Sequence, residues 1–442
     1  MHIDPWGSTA YQDYARLRDA FGIAEFGPES WQVFRDPHLL LRRGIVFGHR
    51  DFERIADAVR GRDPWTVMTG FMPSGDLHLG HKMVLEQVVA HTGQGADAVL
   101  ALADFEAMAA RGFSLEKAHR IARDQYVHNA LALGLDPGRG RFYYQTRRGA
   151  VKDLAHQFAR KVNLSTLQAL YGFGGETSLA HLLAPLVQAA DILHVQLDAD
   201  GPRPVLVPVG VDQDPHIRLT RDVAQDWRQY SVQATEEGLS VFVRGEDEPA
   251  QVKRRLDEAE RVLRDLGYGE FRRNDGYKAI HVRGARGGDM RRIDAALARA
   301  EARAGPGPAL LRPSATFHRF MTGLQGGKMS SSKPETSVYL TEDPASARKK
   351  VMASVTGGRA TAEEQRRLGA DPHKCPVYEL YLYHLAKDDA HLQQVHDECS
   401  TGARLCGGCK KEAVEHLVAW LVQHKEKRDQ VAHMVDEAIA PA

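Results

Sequence analysis

The 442-residue chain carries the pattern of an α/β protein built on a parallel sheet, with a small βαββα insert and an α-helical C-terminal domain. Three observations lead there. Between Trp65 and Trp227, short apolar runs alternate with amphipathic helical stretches, the arrangement a parallel sheet buried on both faces requires. From Leu239 to Gly307 the style changes to a charged βαββα pattern, and after that a Gly-rich loop leads into a tail that reads as helix almost throughout.

In chain order, residues 1–64 carry scattered aromatics (Trp6, Tyr11, Tyr14, Phe21, Trp31, Phe34) and stop at Gly61-Arg62-Asp63-Pro64, which predicts an N-terminal appendage packed on something larger. Residues 65–238 form the α/β core. It runs from the strand TVMTGF through the helix MVLEQVVAHT, the strand in ADAVLALADFE, the long helix SLEKAHRIARDQYVHNALALGL and the strand FYYQ. It ends with PVLVPVGVDQD, an apolar strand delivered into a loop, and the helix PHIRLTRDVA. Residues 239–307 form the insert: VFVRG, the helix QVKRRLDEAERVLRDL, the strands GEFRRN and KAIHVRG, the helix RRIDAALARAEARA and a Gly-Pro-Gly-Pro tail. Residues 308–341 return to the core with the loop GLQGGKMSSSKPE, and 342–442 make the helical domain.

Composition narrows the function. At 43% hydrophobic and 26% charged residues the chain has ample core, and it has no run of about 18 apolar residues to span a bilayer, so no membrane role is expected. MHIDPWGSTA lacks the basic and apolar parts of a secretory signal, which predicts a cytoplasmic protein. Lys and Arg (58) balance Asp and Glu (58), so a nucleic-acid partner must be held by a local patch or by shape. The insert, with 15 basic against 12 acidic residues from Arg244 to Arg303, reads as a structural module or as one that touches RNA.

Two motifs carry chemistry. Pro73-Ser74-Gly75-Asp76-Leu77-His78-Leu79-Gly80-His81 follows a strand and opens a helix, placing two imidazoles three residues apart where unpaired N–H groups and the helix dipole favour phosphate. Gly80 lets a flat ring approach the backbone. Lys328-Met329-Ser330-Ser331-Ser332 lies between Gly326-Gly327 and Pro334, where a lysine can reach a polyphosphate and neutralise charge as it develops. It is not a Walker A loop, which would need Gly at 322 and Ser or Thr at 329. His49-Arg50-Asp51 is not a kinase loop either, since the asparagine it would need is Ala56, so a structural role is expected for it.

Together PSGDLHLGH and KMSSS resemble the two signature motifs of class I aminoacyl-tRNA synthetases, and the surrounding residues resemble the tryptophanyl family. These are Gly210 to Asp222 (GVDQDPHIRLTRD), Phe317-His318, Ser400-Thr401-Gly402-Ala403-Arg404 with Lys410-Lys411, and Asp4-Pro5-Trp6-Gly7, which is similar to the extension of archaeal and eukaryotic-type members. The resemblance implies a Rossmann-like class I synthetase catalytic domain that uses ATP with Mg²⁺. It places His78, His81, Lys328 and Ser330 at the chemistry, and Gly70, Ser74, Gly80, Asp212 and Met329 with them around the nucleotide. It also implies tRNA(Trp) and L-tryptophan as partners, a homodimer, and Lys410 and Lys411 available to phosphates. Independently, Asp212 ends an apolar strand, where open α/β sheets place ligands.

A tryptophan pocket needs an acceptor for the indole N–H in an apolar slot and a partner for the ammonium. The Tyr and Gln with which eukaryotic-type members grip the indole match Met68 and Ala101 here. Asp191, in VQAADIL, resembles instead the bacterial-type acid that accepts the indole proton, with Glu106, Gln188 and Gln213 holding the ammonium or ring edge. Tyrosyl-tRNA synthetases are the rival, but they want a Tyr where Met68 stands, and a thioether cannot donate to a phenol. A synthetase-like protein that binds tRNA without charging it is the other alternative, opposed by the intact His78, His81 and Lys328.

All four cysteines, Cys375, Cys399, Cys406 and Cys409, fall within 35 positions of the tail with spacing C-x23-C-x6-C-x2-C. In a reducing compartment this predicts metal ligation rather than disulfides. Zinc usually takes two short C-x-x-C knuckles and only Cys406/Cys409 makes one, whereas an iron–sulfur cluster also takes four thiolates. The pattern is similar to that of a subset of tryptophanyl enzymes carrying a [4Fe–4S] cluster, so the resemblance implies a cluster, with Zn²⁺ the alternative.

Overall fold

A computed structural model describes residues 13–197, 201–236, 238–245, 248–304, 309–330 and 333–440. The aromatics Trp6 and Tyr11, the stretch Asp4-Pro5-Trp6-Gly7, the Gly-Pro-Gly-Pro tail of the insert, and Ser331 and Ser332 lie outside the described residues.

The strands are β1 (Ala24–Glu25), β2 (Val46–Arg50), β3 (Thr66–Phe71), β4 (Asp97–Leu102), β5 (Gly140–Tyr144), β6 (Val205–Gly210), β7 (Tyr230–Thr235), β8 (Gly238–Val243), β9 (Phe271–Asn274), β10 (Ala279–Val282) and β11 (Ser314–His318). Seven of them form one sheet in the order β1-β2-β11-β6-β3-β4-β5. From β11 to β5 neighbouring strands run parallel, and β2 pairs antiparallel to β11. The parallel strands are apolar because both faces are covered, and the two large hydrophobic clusters lie on either side of them.

The chain lays down β3, β4 and β5 outward, then returns to place β6 on the other side of β3. That is a topological switch point, where the carboxyl ends of the strands open a crevice. The crevice is deepened because β3 and β6 pair only at Thr66↔Val205 and Val67↔Leu206 before they part. Pro208, which has no N–H to offer a ladder, stands in β6 just beyond that pairing.

Residues 13–64 are more than the predicted appendage, since they supply β1 and β2, the antiparallel edge of the main sheet. His49-Arg50-Asp51 has the expected structural use: Arg50 grips Asp214 at 2.7 and 3.0 Å, and Asp51 accepts from Arg221 at 3.0 Å. The insert is a separate antiparallel sheet, β7-β8-β10-β9, with the helices Pro249–Asp265 and Met290–Ala304 sharing its core. It gains β7, which the sequence assigned to the preceding core. A buried ion network fastens it to the body, with Arg228 on Glu301 (2.9 Å) and Asp294 (2.7 Å), and Arg54 on Asp294 (3.1 Å).

The helical pattern from Leu115 to Ala132 carries a π-helical segment, Ala122–Val127, and the Tyr126 hydroxyl of that segment donates to the Met72 carbonyl at 3.0 Å. The C-terminal region is helical as expected, with Pro344–Ala353, Ala362–Leu368, Pro376–Leu380, Asp389–Thr401 and the 26-residue Cys406–Val431. Its last residues return to the sheet, where Phe142 and Ala440 bond across at 2.7 Å beside β5. Under the helix Leu79–Gly93, Lys82 is 3% exposed. Its ammonium donates to Glu86 at 2.6 Å, meets His384 Nδ1 at 3.1 Å, and lies 5.1 Å above the Trp420 ring. Among the described residues no helix is long and apolar enough to cross a membrane.

Candidate active site

A cavity of about 680 Å³ opens at the switch point, and every residue the sequence proposed for nucleotide or amino acid lines it: Met68, Gly70, Ser74, His78, Gly80, His81, Glu106, Gln188, Asp191, Asp212, Gln213, Lys328, Met329 and Ser330. The two motifs, some 250 positions apart in sequence, are joined by backbone. Leu79 N–H donates to Val338 (3.0 Å) and Leu340 N–H to Leu77 (2.8 Å), so the segment after the lysine loop pairs with the segment before the histidine helix.

His78 is the N-cap of the helix Leu79–Gly93, and its Nδ1 accepts from Gly80 N–H at 3.1 Å, while His81 Nδ1 accepts from His78 N–H at 3.3 Å. A ring nitrogen that accepts has no proton, so each imidazole carries its hydrogen on Nε2. The rings lie 4.0 Å apart. Burial, with His81 and Lys328 nearby, holds His78 well below the usual imidazole range, and His81 lies at about 4 for the same reasons. The site thus presents two neutral N–H donors. A Cβ on Gly80 would come within 2.9 Å of the His78 ring, so glycine is needed for this cap.

Across the cavity the Lys328 ammonium lies 3.0 Å from Asp212 Oδ2 and 4.0 Å above the Phe320 ring. Burial raises the Asp212 carboxyl and Lys328 lowers it. The lysine, expected to reach a polyphosphate, is here parked on a carboxylate. Gly210, at the end of β6, sits where a Cβ would fall 2.5 Å from Phe320 and 2.7 Å from Asp212, so it sets the spacing of both. Thr322, at the root of the lysine loop, bonds Glu379 of the helical domain through its N–H (2.7 Å) and hydroxyl (2.8 Å).

At the other end Asp191 is 2% exposed, and its oxygens accept from Tyr143 Oη at 2.7 Å and Gln145 Nε2 at 2.5 Å. Burial pushes its carboxyl well above the usual range, against those two donors. Burial likewise raises Glu106 to about 7, with Gln145 lowering it. Gln188 donates to Gln213 at 3.2 Å. Tyr143 and Gln145 were missed by sequence reasoning. The available signal was a polar Gln-Thr pair ending an apolar strand.

The four cysteines, all unpaired, line one small cavity with Val377, Tyr378, Val395 and Arg404. Burial raises Cys399 to about 11 and Cys409 to about 12. Among the described residues the His, Cys and carboxylate group with ligand atoms within 4.8 Å of one another is His391, Glu412 and His416, so no three of the sulfurs approach that closely. In that trio Glu412 is already held by Arg404, which makes it an ion-pair cluster. Lys410 is not available to phosphate as expected, since its ammonium bonds the Met352 (3.0 Å) and Ser354 (2.6 Å) carbonyls.

Residues 60–246 and 294–422 match the family model described as tRNA synthetases class I (W and Y), and the gap in the match falls in the insert. The chain is 43% identical over 440 residues to a tryptophan–tRNA ligase of Methanosarcina acetivorans, covering 98% of each. It is 44% identical to one of Archaeoglobus fulgidus over 432 residues, again covering 98% of each. The crystal structure of tryptophanyl-tRNA synthetase from Aeropyrum pernix superposes with a TM-score of 0.75 over 100% of both chains at 37% identity.

Proposed function

Because this chain belongs to the class I tRNA synthetases of the tryptophan and tyrosine kind, we propose that it activates L-tryptophan with ATP and transfers the product to tRNA(Trp). The observation that carries this is near-full-length identity above 40% to tryptophan–tRNA ligases, together with both signature motifs on one cavity.

In this reading ATP lies across the crevice. His78 and His81 donate their Nε2 hydrogens to phosphate oxygens, the backbone at Gly70, Ser74 and Gly80 allows close approach, and Met329 and Ser330 flank the triphosphate. Lys328 leaves Asp212 for the departing phosphates. A tryptophan carboxylate oxygen bonds to the α-phosphorus as the bond to the β-phosphate oxygen breaks, releasing pyrophosphate. Positioning and electrostatics supply the acceleration, and no side chain need be a nucleophile. The 2′-hydroxyl of the terminal adenosine of tRNA then attacks the acyl carbon and AMP leaves. Mg²⁺, when bound with ATP, would neutralise phosphate charge; of the acids lining the cavity, Glu106, Asp191 and Asp212, the last is the one on the Lys328 side that would hold it once the lysine leaves.

The indole N–H is accepted by Asp191 in an apolar slot that includes Met68, and the ammonium by Glu106 with Gln188 and Gln213. The absence of a hydrogen-bonding side chain at 68 speaks against tyrosine as the substrate.

The four cysteines, which line one small cavity, would hold a [4Fe–4S] cluster, with zinc the alternative, since only Cys406 and Cys409 make the short knuckle that structural zinc sites usually repeat. The cluster would pin the helical domain, and Arg404 would offset thiolate charge. The enzyme is read as a cytoplasmic homodimer, and Leu164 and Leu179, exposed at 52% and 84%, are apolar side chains a second copy would cover. The division at residues 64, 238, 307 and 341 assigns ATP and tryptophan to the sheet domain and tRNA to the helical one.

The test is ATP–pyrophosphate exchange with each amino acid, followed by charging of a tRNA(Trp) transcript. Tryptophan-dependent exchange exceeding tyrosine-dependent exchange by orders of magnitude, with charging, is expected. Exchange favouring tyrosine, or binding without charging, would overturn the assignment.

A further inference from the structure

The two acids at the amino-acid end of the cavity are bridged by Gln145, in the single 3-10 turn after β5. Its Nε2 lies 2.5 Å from Asp191 Oδ2 and 3.5 Å from Glu106 Oε1. With the acids ionised the amide faces this way, because the reverse would aim its oxygen at two carboxylates. Gln145 is 2% exposed, and its Oε1 has no donor among the described residues, so the side chain forgoes one bond to keep its nitrogen between the acids.

Resting on the reading above that these acids grip tryptophan, we propose that Gln145 is a positioning residue: by giving an N–H to each carboxylate it favours the ionised, accepting form of Asp191 and Glu106 against the burial that favours the protonated one.

Two buried acids without such donors retain protons at neutral pH. The groups around them do not remove that tendency. Asp104, a third acid, is itself bonded by His119 at 2.8 Å and by Thr146 and Phe105 N–H groups. His194, next to Asp191 on the helix Leu179–His194, meets the Asp191 carbonyl through Nδ1, and Tyr143 occupies Oδ1. His216, with Tyr171 bonded to it, sits on the Glu106 side, held neutral by burial at about 3, with Arg218 two residues on.

The consequence is specificity. An indole N–H can only donate, and it bonds more strongly to an ionised Asp191 than to the remaining acceptor oxygen of a protonated one, whereas a phenol hydroxyl can donate to the first or accept from the second. Gln145 therefore tilts the preference toward a ring that only donates.

The experiment measures ATP–pyrophosphate exchange from pH 5.5 to 9 with tryptophan and with tyrosine, for the full chain and for Gln145→Met. The substitution is expected to lower kcat/KM for tryptophan by ~10-fold or more and leave KM for ATP within about twofold. It should also move the acid limb of the tryptophan profile up by ~1 pH unit and reduce the tryptophan-to-tyrosine ratio most at low pH. An unmoved limb, or KM for ATP rising in step with KM for tryptophan, would overturn the proposal. Should Gln145→Met not fold, Gln145→Leu likewise removes the N–H shared by the two acids and must move the limb in the same direction; a stationary limb there also overturns it. Asp191→Asn and Glu106→Gln separate the two claims. If neither raises KM for tryptophan, the pocket reading fails; if both do and Gln145→Met shifts nothing, only the role of Gln145 fails.

Discussion

On the proposed reading of the cavity, Glu106 decides when its amino-acid end can work. Its folded value of about 7 is raised by burial, so the empty site loses the carboxylate as pH falls through neutrality. Because kcat/KM reports ionisations of the free enzyme, the value for tryptophan should fall about tenfold for each pH unit below ~6.5, while that for ATP stays flat, and Glu106→Gln should remove the dependence along with most of the affinity. A flat wild-type profile for tryptophan would contradict this. At this scale the sequence was readable where roles are written in contiguous residues: His78, Gly80 and His81 share one turn, and Lys328 sits among glycines and serines. Gln145 and Tyr143 were not, because their partners come from another helix, 46 and 48 positions away, and only the placement of β5 beside the helix Leu179–His194 brings them together.

Among the elements, the alternation of apolar strands and amphipathic helices announced β3 to β6 correctly, since burial on both faces leaves an unmistakable run of apolar residues. It was silent on β1, a two-residue edge, on β2, which ends in charged residues, and on β7, whose Ser, Gln and Thr face outward. Those strands are fixed by their neighbours. The same holds for Lys410, whose neighbour in sequence is another lysine but whose neighbours in space are helix-terminal carbonyls. The cysteine-bearing helices yield a prediction at this level. Protein purified without oxygen should be brown with about four iron atoms per chain, and stripping the metal should lower Tm. Colourless protein with one zinc per chain would overturn the cluster.

For the molecule as a whole, the helical domain is not a hanging module. It reaches the lysine loop through Glu379 and Thr322, and it reaches the histidine helix through His384 and Trp420 around Lys82. Nothing local in the sequence marks Lys82, which reads as one more surface lysine after a motif. Because Lys82 is buried and Glu86 largely so, Lys82→Met should destabilise by about 1–3 kcal/mol by leaving the carboxylate with His384 alone. Lys82→Met with Glu86→Leu should recover much of that loss in thermal or urea unfolding. A single variant as stable as wild type would show that the pair is not energetically coupled.

That buried ammonium also bears on any attempt to divide the enzyme. Cutting the chain near residue 341 would bare the underside of the helix Leu79–Gly93 and leave a cation with half its company gone, so a fragment ending there inherits an open seam in its wall. The sheet domain borrows part of its floor from the helical one, and neither is a closed unit without the other.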